Sequence, residues 1–225
     1  MSDHTSYGSP RSYVLRQPAG SSALEFSNGV RDLGRNGERL ADFCNHPSAQ
    51  KAQLTEAHVV ALRLYTTACY KSLNGPLRQA AAAKGQPLKA HPFAATVFFL
   101  ADGIRKLRAV SATDQPDVMD LWRGMRDLQS TSDFERSGGS EVAPMSATSD
   151  PAVAVSYGAS KHSLLFKIRT DSFMNRGADI GFLSAFPNER ECVRTLHTQP
   201  YTLLERVAMR GTPCWSLLPC EIANH

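Results

Sequence analysis

The stretch Ile180-Gly181-Phe182-Leu183-Ser184-Ala185-Phe186-Pro187-Asn188-Glu189-Arg190-Glu191 sets an apolar, strand-like run directly ahead of two carboxylates placed two residues apart. In an extended segment, residues i and i+2 point to the same side. Glu189 and Glu191 would then address one bound molecule together, with Arg190 facing away. The same spacing also suits a solvated turn at a strand end, where charged side chains normally sit. The rest of the chain decides between these readings.

A chain of 225 residues is long enough for one domain, or a domain with an extension, around a substantial core. Its 42% hydrophobic and 20% charged residues fit a globular fold. Lys+Arg 25 against Asp+Glu 21 gives a net charge of +4. That mild excess, without long basic runs, is weak evidence for a nucleic-acid partner and suits an anionic small ligand equally well; no nucleic acid is expected. Cys44, Cys69, Cys192, Cys214 and Cys220 form no Cys-x-x-Cys pair and no Cys/His cluster at zinc spacing, so no metal is expected. The odd count argues against a complete disulfide framework. Cys44 with Cys214 or Cys220 stays open as a pairing that would tie the chain ends together in an oxidising compartment.

Residues 1–24 are rich in Ser, Gly and Pro and lack an apolar core, which predicts a disordered N-terminal extension and no signal peptide. The most apolar stretch, Pro92 to Leu100, is too short to cross a membrane. These features lead to the expectation of a protein in the cytoplasm, or one secreted or injected by a route without an N-terminal signal peptide; a monomer is expected. Residues 25–225 are expected to form a single domain, helical over 25–110 and strand-rich over 117–218.

Between Ala23 and Pro47, apolar residues at loosely helical spacing are broken by Gly29, Gly34 and Gly37, which suggests short helices or an irregular wrap. Thr55 can cap a helix whose apolar positions run from Val59 to Leu73 with a 3.6-residue period, ended or kinked by Asn74-Gly75-Pro76. A short helix from Leu77 to Lys84 would follow. After Pro92, Phe93, Val97, Leu100, Ile104 and Leu107 mark another amphipathic helix, with Arg105, Lys106 and Arg108 near its C-terminal end. From Val118 onward, short apolar segments alternate with turn residues: 118–125, 141–146, 163–169, 180–186, 191–196, 201–209 and 214–218. One helix interrupts them, with Asp150 as its cap and Pro151 at its first position. Helices followed by strands read as α+β.

Three segments carry residues that a core does not require. In Leu121-Trp122-Arg123-Gly124-Met125, Arg123 stands where a strand interior is normally apolar, and Gly124 leaves room for a ligand to approach the backbone. A guanidinium forms bidentate, charge-assisted hydrogen bonds with phosphate, although an Arg on an exposed strand face is the plainer alternative. In Met145-Ser146-Ala147-Thr148-Ser149-Asp150-Pro151, Ser146 and Thr148 share a face where hydroxyls can hold a carboxylate or a ribose; part of this segment is a helix-capping turn. The third segment is the Glu pair.

In this order, Arg123-Gly124, Ser146-Ala147-Thr148 and Glu189-Arg190-Glu191 resemble the R-S-E motifs of arginine-specific mono-ADP-ribosyltransferases, a class of vertebrate ecto-enzymes and bacterial toxins. The likeness extends from about Thr55 to Tyr201. Tyr65-Thr66-Thr67-Ala68-Cys69-Tyr70 through Asn74-Gly75-Pro76-Leu77-Arg78 is similar to the family's N-terminal helices, and Phe182 to Pro187 to the approach to its catalytic loop. The resemblance implies two packed, steeply crossed β-sheets around an NAD cleft, preceded by helices. It also implies a reaction that transfers ADP-ribose from NAD to an exposed arginine of a protein acceptor and releases nicotinamide, with NAD as substrate and no metal.

By the same resemblance, Arg123 anchors NAD, the backbone at Gly124 contacts the nicotinamide amide, and Tyr157 stacks on the nicotinamide. Ser146 holds Glu191 while Thr148 supports the strand. Glu191 binds the nicotinamide-ribose hydroxyl and stabilises the oxocarbenium-like transition state, and Glu189 accepts arginine as nucleophile. Ala147, Met145 and Trp122 depart from the family's usual residues without replacing one that has a direct role. An NAD glycohydrolase using water and a catalytically silent NAD-binding domain are the alternatives. A Cys192/His197 nucleophile is disfavoured because nothing else in the sequence orients that pair.

Overall fold

The computed structural model describes residue 14 and residues 31–35, 38–83, 87, 89–111, 118–128, 130–138, 141–160, 163–170 and 172–194. Short helices α1 (Leu40–Asn45) and α2 (Pro47–Lys51) open the ordered text. In α3 (Glu56–Tyr65), the backbone N–H of Thr55 donates to Nδ1 of His58 at 3.1 Å, which closes the helix start, and the inward face carries Val59, Leu62 and Tyr65. His58 is buried, with its Nε2 2.9 Å from Asp102 Oδ2. It belongs to the capping structure.

The helix predicted to run on to Leu73 stops at Tyr65. Thr66 and Thr67 donate their hydroxyls to the carbonyls of Arg63 and Leu64, each at 2.7 Å, and this side-chain competition ends the helical run. After the turn, α4 (Tyr70–Ala82) continues through Asn74-Gly75-Pro76. The reading in which the helix ends there and a separate helix starts at Leu77 is therefore corrected. Asn74 is buried and donates from Nδ2 to the Pro144 carbonyl at 2.9 Å, so tertiary contact holds a turn that Pro76 by itself would weaken. The next helix, α5 (Ala94–Ser111), packs Leu100, Ile104 and Leu107 into one core with α3, Ile180, Leu183 and Val193.

Among the described residues, five strands form a single antiparallel sheet: β1 (Met119–Arg126), β2 (Met145–Thr148), β3 (Ser163–Thr170), β4 (Ala178–Asp179) and β5 (Glu191–Arg194). Their order is β3-β1-β2-β5-β4. β1 and β3 pair along their full length, from Met119 opposite Thr170 to Arg126 opposite Ser163. β2 pairs with β5, setting Thr148 opposite Glu191, and meets β1 at Trp122 opposite Thr148. The strands bearing Arg123, Ser146 and Glu191 thus lie side by side in the middle of the sheet. Helices α6 (Ser132–Ser137), α7 (Pro151–Gly158) and α8 (Phe173–Arg176) interleave with the strands, and α7 starts at the predicted Asp150 cap, whose side chain accepts from Ala152 N–H.

Helices followed by an antiparallel sheet agree with the α+β expectation, with two corrections. β2 begins at Met145 and not at Glu141, because Pro144 has no N–H for a ladder and Glu141 is held by Arg78 at 3.1 and 2.8 Å. Ile180–Phe186 is a turn. Leu183 and Ser184 both donate to the Ile180 carbonyl at 2.8 Å, and the carbonyls of Gly181, Leu183 and Ser184 serve arginine side chains instead of a neighbouring strand. The expected second, steeply crossed sheet is not found among the described residues; the predicted strands at 201–209 and 214–218 lie outside them. The predicted disordered extension also lies outside them except for Val14, which is buried, with its carbonyl accepting from Arg63. No helix among the described residues is long and apolar enough to cross a membrane.

Candidate active site

A cleft of about 260 Å³ opens beside the central strands. Tyr65 and Tyr70 line it from α3 and α4, Thr66 and Thr67 from the turn between them, Arg123, Gly124, Ser146, Thr148 and Glu191 from the sheet, Tyr157 from α7, and Phe186 and Glu189 from the loop into β5. All seven residues singled out in the sequence border this one space.

Glu191 is the first residue of β5 and is buried. Two hydroxyls hold its carboxylate: Ser146 donates to Oε1 at 2.6 Å, and Ser184 donates to Oε2 at 2.9 Å. Burial raises its pKa above the ordinary glutamate value, the two serine hydrogen bonds oppose that rise, the neighbouring Glu189 adds to it and Arg123 reduces it. Arg123 reaches the same place by donating from Nη1 to the Ser146 carbonyl.

Glu189 ends a 3-10 turn, Pro187–Glu189, and is only partly buried. Burial raises its pKa as well, and the Tyr157 hydroxyl, which donates to Oε1, lowers it. Thr148 fixes the turn by donating from Oγ1 to the Glu189 carbonyl at 2.7 Å. The two glutamates do not share a side through strand alternation, which corrects the opening expectation. Arg190 between them is left-handed, with φ 46° and ψ 49°, and this twist brings both carboxylates to the cleft while Arg190 stays exposed. A left-handed non-glycine residue costs about 1 kcal/mol, so the surrounding bonds enforce this shape.

Gly124 borders the cleft and also has a packing role. A Cβ there would lie 1.8 Å from the Ala154 carbonyl oxygen and 2.7 Å from the Gly158 nitrogen. The missing side chain lets α7 pack directly on β1. That packing sets where Tyr157 stands. The Tyr157 ring is 47% exposed, and its phenol is pushed far above the usual tyrosine value, first by burial of the hydroxyl end and then by the Glu189 carboxylate.

Ser184, Arg35, Arg63 and Tyr65 were not assigned a part by the sequence. Tyr65 donates to the Pro144 carbonyl at 2.7 Å, which anchors the chain just ahead of β2. The available signal for Ser184 was a hydroxyl inside an apolar run, and for Arg63 a cation on the apolar face of α3. Cys192 is buried, and its thiol is pushed up to about 12 by burial first and by Asp179 and Glu191 next, which disfavours the thiolate a nucleophile needs; His197 lies outside the described residues. Cys44, Cys69 and Cys192 are unpaired with one another, and Cys214 and Cys220 lie outside the described residues. No group of three or more His, Cys, Asp or Glu side chains among the described residues could hold a metal ion.

A fixed, buried carboxylate beside an arginine and a tyrosine, with a second carboxylate at the rim, suits a substrate that is anionic overall and develops positive charge at one carbon. The family model of NAD:arginine ADP-ribosyltransferases matches residues 35–205. Ecto-ADP-ribosyltransferase 5 of Bos taurus is 31% identical over 141 residues, which is 60% of this chain and 41% of that protein. The chain therefore spans about two fifths (41%) of the length of that curated relative. Among solved structures, the ADP-ribosyltransferase HopU1 of Pseudomonas syringae pv. tomato superposes with a TM-score of 0.50 at 16% identity, over 75% of this chain and 76% of that one, a likeness of fold. Exoenzyme S of Pseudomonas aeruginosa, solved with a human 14-3-3 protein and Carba-NAD, gives a TM-score of 0.46 at 23% identity, over 71% of this chain and 76% of that one. The span matched by the family model takes in α1–α8, all five strands and the cleft, and the chain belongs to the NAD:arginine ADP-ribosyltransferase family.

Proposed function

We propose that the protein transfers ADP-ribose from NAD to arginine side chains of a protein acceptor and releases nicotinamide. The observation that carries this reading is the Glu191 carboxylate, buried at the cleft with a hydroxyl on each oxygen. As the bond between nicotinamide and ribose breaks, nicotinamide leaves with the electron pair and positive charge grows on the ribose. A carboxylate already held in place beside it stabilises that state more than the ground state. Glu191 also accepts a hydrogen bond from the ribose hydroxyl. Arg123 anchors the NAD phosphates, the Gly124 backbone faces the nicotinamide amide, and the Tyr157 ring stacks on the nicotinamide. Thr148 supports the loop that carries Glu189.

Glu189 orients the acceptor guanidinium and takes one of its protons as nitrogen bonds to the ribose carbon. Its raised pKa makes it a better base than an exposed carboxylate. NAD hydrolysis is the second reading, favoured by the Tyr157 hydrogen bond that already occupies Glu189 Oε1. One experiment addresses both: nicotinamide release and agmatine modification measured side by side for the wild type, Glu189→Ala and Glu191→Gln. Glu191→Gln is expected to lose about a hundredfold or more in both assays, and near-normal turnover would overturn the mechanism. Glu189→Ala is expected to lose agmatine modification and keep nicotinamide release; equal loss of the two would remove the role given to Glu189. A wild type that cleaves NAD without modifying agmatine would favour hydrolysis.

A further inference from the structure

Ser184 does not line the cleft and is fully buried, yet it touches the carboxylate at the centre of the site. Its Oγ accepts from the Phe186 backbone N–H at 3.1 Å and donates to Glu191 Oε2 at 2.9 Å. With one lone pair of the hydroxyl taken by an N–H, its proton is directed at the carboxylate. The backbone around Ser184 is fixed from the helical part of the chain. Arg35 donates to the Ser184 and Gly181 carbonyls, each at 2.6 Å, and Arg63 donates to the Leu183 carbonyl at 2.9 Å. Ala185 N–H donates to Thr66 Oγ1 at 2.9 Å, and the Ala185 carbonyl accepts from Asp32 N–H at 2.6 Å.

We propose that Ser184 is a second positioning residue for Glu191, holding Oε2 as Ser146 holds Oε1, and that Arg35 and Arg63 set its position. The proposal rests on the reading of Glu191 as the carboxylate that stabilises the ribosyl charge. A carboxylate held through one oxygen can still turn about its last side-chain bond; donors on both oxygens fix its plane. Donors to the charged form also keep a buried carboxylate ionised.

The test is the titration of Glu191 by NMR with carboxyl-labelled glutamate, its resonance assigned by its loss in Glu191→Gln, in the wild type, Ser184→Ala and Ser146→Ala. Steady-state nicotinamide release is measured on the same proteins across pH. For Ser184→Ala the Glu191 midpoint is expected to rise by roughly one pH unit, with the acid limb of kcat moving up alongside it. At neutral pH kcat is expected to fall about tenfold while KM for NAD changes less than about twofold. An unmoved midpoint overturns the proposal, and so does a fall in kcat with an unmoved midpoint, which would mark a structural role only. Were Ser184→Ala not to fold, Ser184→Cys, with a weaker donor of similar size, should move the midpoint in the same direction, and no movement would count against the proposal. A wild type that releases no nicotinamide would defeat the functional reading of Glu191, and the titration would still decide whether Ser184 holds it.

Discussion

Tyr157 and Glu189 alter one another through a single hydrogen bond at the mouth of the cleft. Burial raises the Glu189 pKa, and the phenol, by donating to the charged carboxylate, lowers it. Removing the hydroxyl leaves burial unopposed, so Tyr157→Phe is expected to raise the Glu189 pKa further. On the proposed reading, the ionised carboxylate is the form that accepts a proton from the acceptor. Agmatine modification by Tyr157→Phe should therefore lose its acid-side activity at a higher pH than the wild type does. Rate profiles from about pH 4 to about pH 8, bracketing the ordinary carboxylate range, check this, and an unmoved acid limb would mean that the contact does not set the charge of Glu189. Neither this bond nor the left-handed Arg190 was legible in the sequence. A Tyr and a Glu 32 positions apart carry no mutual signal, and arginine has no preference for positive φ that a reader could use.

The pairing of α7 with β1 is the element on which the site most depends. Pro151 and the Asp150 cap were readable, because capping chemistry is local. The closeness of the packing was not. A Cβ on residue 124 would fall 1.8 Å from the Ala154 carbonyl, so Gly124→Ala must push α7 outward or bend β1. We expect a loss of about 3 kcal/mol in unfolding free energy, measured by urea denaturation, together with weaker NAD binding, because Tyr157 moves with the helix. A variant as stable as the wild type would show that α7 is not held as tightly as its contact with β1 implies. Pro144 illustrates the other side of legibility: the start of β2 at Met145 could have been read from the absent N–H, since that constraint belongs to one residue alone.

Across the whole molecule, Arg63 fastens the helical part to the loop behind the active site. It is 1% exposed, bonds Asp32 at 3.0 and 3.1 Å, donates to the carbonyls of Val14 and Leu183, and lies 4.2 Å over the Phe43 ring. Burial lowers its pKa and the Asp32 carboxylate opposes that. Arg63→Ala would leave Asp32, also 1% exposed, as a buried charge without this partner. A loss of about 4 kcal/mol is expected in denaturant unfolding. Arg63→Ala should also reduce nicotinamide release, since the Leu183 carbonyl loses its donor. Loss of stability with full activity per folded molecule would separate the core pair from the site.

The sequence by itself determined the order of the architecture, helices and then strands, because the 3.6-residue period of α3 and α5 and the short apolar runs of β1 and β3 are written in neighbouring residues. It also marked Arg123, Ser146, Glu189 and Glu191 as residues that a core does not require. Only the tertiary structure decided that their strands lie adjacent, through the β1-β2-β5 pairing, and that Ile180–Phe186 is a turn. An apolar run reads the same whether its carbonyls meet a strand or an arginine. Here they meet Arg35 and Arg63, more than a hundred positions away in the chain, and no local pattern records a partner at that distance.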